Sequence, residues 1–95
     1  MQMVGLDFDV KRIITFDGEG ALKAYCDLAI SEAVLIKGLR VVSGKHGLFV
    51  SMPRQQGRDK KWYDTIVLLR DEAKDEISRA VMDAYAREIS ANGRG

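Results

Sequence analysis

The sequence predicts an α+β fold, an antiparallel sheet of about five strands closed by one C-terminal amphipathic helix. Three observations carry that prediction. Apolar and polar residues alternate through much of the first half, turn residues punctuate the alternation at short intervals, and the apolar spacing becomes helical after Asp71. A chain of 95 residues is close to the common size of a single domain, because two domains would each need a core. One domain over residues 1–90 is expected, with a tail over 91–95 that frays.

The first strand begins at Val4, where Val4, Leu6, Phe8 and Val10 alternate with Gly5, Asp7, Asp9 and Lys11. The alternation slips at Arg12-Ile13-Ile14, as a β-bulge would cause. Asp17-Gly18-Glu19-Gly20 supplies residues that tolerate positive φ, and Leu22, Ala24, Cys26, Leu28 and Ile30 form the returning strand. After a break at Ser31-Glu32, the segment Ala33 to Val42 places apolar groups on both faces, which predicts burial of both. Ser43 to Gly47 is a glycine-flanked turn, and Leu48 to Met52 returns as a strand that Pro53 ends, since proline lacks the N–H a ladder needs.

Arg54 to Lys61 is polar, with four basic side chains against one acid, and is expected to be an exposed loop. Trp62 to Leu69 is rich in aromatic and β-branched residues and is expected to be the fifth strand, with Trp62 in the sheet core. Ile77, Ala80, Val81, Ala84, Tyr85 and Ile89 then fall at helical spacing, with Asp71 as the expected N-cap. Five strands at about 4.8 Å make a sheet roughly 24 Å wide, whereas one helix is about 10–12 Å across. Apolar surface is therefore left uncovered in a monomer, which predicts a homodimer.

Composition narrows the function. Hydrophobic residues make up 46% and charged residues 31%, as in ordinary globular proteins, so neither a disordered nor a fibrous chain is expected. A net charge of +1 is too small for a protein that coats phosphate over its whole surface, so any nucleic-acid site has to be a local patch. Cys26 is the sole cysteine, which excludes an intrachain disulfide and favours a reducing compartment. The apolar runs are shorter than the ~20 residues of a membrane span, and the first nine residues lack the pattern of a secretory leader. A cytoplasmic location is expected.

The run Leu39 to Pro53, LRVVSGKHGLFVSMP, closely resembles the central signature of the SpoVG family, the stage V sporulation protein G or septation regulators. The similarity extends without a gap from about Phe8 to Glu88. The resemblance implies a small dimeric α+β protein that binds DNA, and in some members RNA, and regulates gene expression, septation or sporulation-like processes. Two departures mark a divergent member. Family members follow Met-Pro with a small residue and a basic pair where this chain has Arg54, Gln55 and Gln56, and a later His-Pro pair is replaced by Val67-Leu68.

Arg54, Arg58, Lys60 and Lys61 are the first candidates for phosphate contact, because several forked or mobile cations together release condensed counterions. A solvated loop is the commoner explanation of such a run by itself; the resemblance favours phosphate. Lys45 and His46 are further nucleic-acid candidates at a hairpin tip, with an exposed turn as the plainer reading. Trp62 and Tyr63 have the chemistry to stack on unpaired bases, although one of such a pair is more often core. Cys26 is expected to be a small buried hydrophobe. One His and one Cys do not make a usual zinc site, Gly44 and Gly47 bracket a turn and do not open a helix, and no base and nucleophile can be placed together. No catalytic residue, metal, cofactor, small-molecule substrate or membrane contact is therefore expected. A protein-interaction adaptor without nucleic-acid binding is the alternative function.

Overall fold

The computed structural model describes residues 6–92. Four strands, β1 (Phe8–Thr15), β2 (Leu22–Ile30), β3 (Val34–Gly44) and β4 (Gly47–Ser51), form one antiparallel sheet in chain order. Strands β5 (Arg54–Gln56) and β6 (Trp62–Asp64) form a separate two-stranded ribbon, and α1 (Asp71–Asn92) follows.

The sheet has three register shifts, one of them between Leu22 and Ala24, and the other two decide most of which side chains reach the core. The β1–β2 register shifts between Val10 and Arg12, so Lys11 is the extra residue and Val10 and Ile13 both pack inward. In β3 the register shifts opposite Cys26 and Asp27, and Gly38 takes up the step with φ of 89°. That conformation suits glycine because residues with a side chain rarely adopt so positive a φ, although the space beside Gly38 is open. Ile36, Leu39 and Val41 therefore all face the core. The expectation that β3 buries both faces is corrected here: the bulge switches parity within the strand, and Val34 and Leu35 before it are about half exposed.

Ser31 and Glu32, with φ of 51° and 57°, close β2 onto β3 through a two-residue turn in which the Ala33 N–H donates to the Ile30 carbonyl at 2.9 Å. Helix α1 lies chiefly against β1 and also meets β2, β3 and β4. Its Ile77 and Val81 close a core with Ala24, Cys26, Leu28, Ile36, Leu39 and Val41.

The opposite face of the sheet is open. Cross-strand pairing puts Ile14 with Tyr25, Tyr25 with Arg40, and Val42 with Phe49 on that face. Phe16 meets Tyr25 edge-on with ring centroids 5.5 Å apart, and the Arg40 guanidinium lies 5.5 Å from the Tyr25 centroid. Ile14, Phe16, Tyr25 and Phe49 all remain exposed.

Several expectations change. The fifth strand does not join the sheet, and the supposed loop from Arg54 onward begins as β5, paired with β6. Only Trp62–Asp64 of the expected strand Trp62 to Leu69 is β-structure. Trp62 is 54% exposed and outside the core. The core positions go instead to Ile66 and Leu68, which pack on it while Val67 and Leu69 point outward. The Arg70 carbonyl accepts from the Lys74 N–H, which makes Asp71 the first helical residue and not the cap. Ile89 is largely exposed. The helix runs through Asn92, while 93–95 of the expected tail lie outside the described residues, as do Val4 and Gly5 of the expected first strand.

Candidate nucleic-acid interface

The ribbon is built by its turn. The Gly57 N–H donates to the Lys61 carbonyl at 2.8 Å and the Lys60 N–H to the Gly57 carbonyl at 3.0 Å, leaving Arg58, Asp59 and Lys60 as the tip. Lys60 is left-handed, with φ of 68°. A turn followed by one left-handed residue is the usual closure of a three-residue hairpin loop. The Gln56 amide donates to the Lys60 carbonyl at 3.1 Å and the Lys61 N–H to an Asp59 carboxylate oxygen at 3.0 Å.

Tyr63 completes this turn from one side. Its ring lies so close over Gly57 that a Cβ there would come within 2.8 Å of the ring edge, and its hydroxyl donates to Asp59. The hydrogen bond from Tyr63 and that from the Lys61 amide hold the Asp59 carboxyl below its ordinary pKa. The same bond, which engages the phenol proton, raises the pKa of Tyr63.

Where the ribbon leaves the sheet, Thr65 ties it down, its N–H and hydroxyl both donating to the Pro53 carbonyl, at 3.5 and 3.2 Å. Apart from that base, the β5–β6 backbone stands clear of the rest, with no Cα of either strand within 8 Å of a sheet strand or of α1. The radius of gyration, 14.4 Å, exceeds the roughly 12 Å of a compact domain of this length, as a projecting arm requires.

All four basic candidates of the segment therefore stand on the projection, and all four are exposed. The acids of the ribbon are engaged internally: Asp64 pairs with the Arg54 Nε at 3.2 Å, and Asp59 holds the turn. Arg58, Lys60 and Lys61 make no ion pair among the described residues. Positive charge thus faces outward while the negative charge is spent on the scaffold.

Lys45 and His46 are exposed at the β3–β4 turn. That turn and the ribbon lie at opposite ends of β4, whose five residues span about 17 Å. The six candidates form two separate groups.

Sequence reasoning missed the pairing of Arg54–Gln56 with Trp62–Asp64 because the β5 residues are polar on both faces, so no alternation marks them. It also missed Tyr63 and Asp59 as the latch of the turn; the Gly57-x-Asp59 spacing ahead of an aromatic pair is the one available signal. Among the described residues no group of three or more His, Cys, Asp or Glu is placed to hold a metal ion, and no helix is long and apolar enough to cross a membrane.

The family model described as SpoVG matches residues 7–87. Among curated proteins, one of Archaeoglobus fulgidus bearing the septation protein SpoVG designation is 38% identical over 77 residues, covering 81% of this chain and 91% of that protein. Proteins of the same designation from Macrococcus caseolyticus and Symbiobacterium thermophilum are 33% and 36% identical, covering 83% and 78% of this chain. The chain spans 66% and 53% of the length of those two.

Proposed function

The chain belongs to the SpoVG family, and from that premise we propose a small cytoplasmic regulator, a binder and not an enzyme, that grips DNA or RNA by its backbone through the β5–β6 ribbon. In this reading it influences gene expression in septation or sporulation-like processes and acts as a homodimer that presents two ribbons. The carrying observation is the projecting ribbon, on which Arg54, Arg58, Lys60 and Lys61 face solvent while both acids are tied into the scaffold. Lys45 and His46 add a second, distant point of contact.

Replacing Arg54, Arg58, Lys60 and Lys61 together by Gln tests this reading. The one ion pair lost, Arg54–Asp64, is solvent-exposed and of a kind worth about 0–1 kcal/mol, so the melting temperature stays nearly unchanged. Duplex affinity falls, and the log–log salt slope flattens by about 0.9 for each phosphate contact removed. Retention in a gel shift that is absent, or indifferent to salt, for the unmodified protein would reject the proposal.

The adaptor reading is favoured by one observation, the exposure of Val67 and Leu69 (70% and 91%) beside the ribbon base. Partners that stay bound after nuclease treatment support it.

A further inference from the structure

The two adjacent aromatics of β6 are placed for different tasks. Side chains alternate along a strand, so Trp62 lies on one face of the ribbon with its partner Gln56 and the Arg54–Asp64 pair, and Tyr63 lies on the other with Gln55. Tyr63 is occupied: its ring covers Gly57 and its hydroxyl holds Asp59. Trp62 makes no hydrogen bond or ring contact among the described residues and is 54% exposed on an element whose backbone stands clear of the sheet strands and of α1. A large indole left half in water on a short, otherwise polar ribbon has no part in the core.

Its surroundings select the occupant. Arg54, paired with Asp64, shares its face two positions along the pairing, while Lys60 and Arg58 occupy the tip and Lys61, next in the chain, turns to the other face. An aromatic plane set among cations matches a nucleotide whose base is free to stack and whose phosphates lie on either side. In a duplex the bases are already stacked on one another, so the indole finds only backbone.

We propose that Trp62 is a base-stacking platform and that the ribbon prefers single-stranded nucleic acid over duplex. This rests on the nucleic-acid reading of the same ribbon and adds the substrate form to it. The basic side chains supply attraction to either form, and Trp62 supplies the difference between them.

Trp62 is the only tryptophan, so its emission reports on the site directly. The test titrates the full chain with a mixed-sequence single-stranded oligodeoxynucleotide and with the matching duplex, at one salt concentration, for the unmodified protein, Trp62→Ala and Trp62→Phe. The single strand is expected to quench Trp62 emission and the duplex to quench it weakly. By anisotropy of a labelled oligonucleotide, Trp62→Ala loses roughly five- to a hundredfold in single-strand affinity. Its duplex affinity stays within about twofold, and Trp62→Phe recovers most of the loss. Equal losses for both forms in Trp62→Ala, or single-strand binding without quenching, would overturn the platform and leave the nucleic-acid reading standing. Failure of both oligonucleotides to bind at low salt would overturn both readings. Emission already shielded from acrylamide in the free protein, and unshielded on dilution, would assign Trp62 to a contact between copies instead.

Discussion

Cys26 pairs across the sheet with Ile13 on one side and Leu39 on the other and is 2% exposed. Burial, helped by the neighbouring charge of Asp27, raises its pKa from 9.0 to about 11. The thiol form is held in the fold, so the unfolded chain ionises first. Stability from this group is complete below pH 9 and declines as the pH climbs from 9 toward 11, by at most about 1.4 kcal/mol per pH unit. The stability advantage of the unmodified protein over Cys26→Ala, measured by urea unfolding, should narrow across that interval, and iodoacetamide at pH 8 should leave the native thiol unmodified. Cys26 was legible in the sequence because its neighbours alternate cleanly. Trp62 was not: an aromatic residue beside β-branched ones reads as core, and only the ribbon's departure from the sheet shows that no core is there to receive it.

Among the elements, α1 was the most legible, since Ile77, Val81 and Ala84 repeat at the spacing that brings one face to a sheet. Ile77 is 1% exposed and closes the core from above. Ile77→Ala should destabilise the domain by about 2–5 kcal/mol in chemical denaturation, the range for removing a buried branched side chain. A loss below 1 kcal/mol would mean that the helix is held elsewhere. The strands were less legible where bulges intervene. Gly38 lets Ile36 and Leu39, three residues apart, share a face, and a reader counting by twos assigns them to opposite sides. The β5 half of the ribbon and its pairing with β6 escaped, because those hydrogen bonds come from backbone and turn, and neither leaves an apolar pattern.

For the molecule as a whole, one helix over one face leaves the other face with Ile14, Phe16, Tyr25 and Phe49 in water. The homodimer proposed above would cover that surface. Phe49 is 50% exposed, so Phe49→Asp spares the monomer core while placing a carboxylate where a second copy would dock. Light scattering at micromolar concentration should give a dimer for the unmodified protein and a folded monomer for Phe49→Asp; a stable monomer for the unmodified protein would refute the covering argument.

The strands follow one another in the sheet in the order in which the ribosome makes them, each hydrogen-bonded to its predecessor, while the helix that roofs them comes after the ribbon. Hairpins close within about 1–10 μs, so the sheet has every opportunity to assemble while the chain is still growing. Ile77 and Val81 are added roughly two dozen residues or more after Ser51 ends β4, a delay of about one to six seconds at about 5–20 residues per second. Throughout that interval the nascent sheet carries both of its faces bare, and the inner one is the stickier. The arrangement thus makes the time between translating β4 and translating α1 the period of greatest exposure to aggregation, and a translational pause placed there would lengthen it.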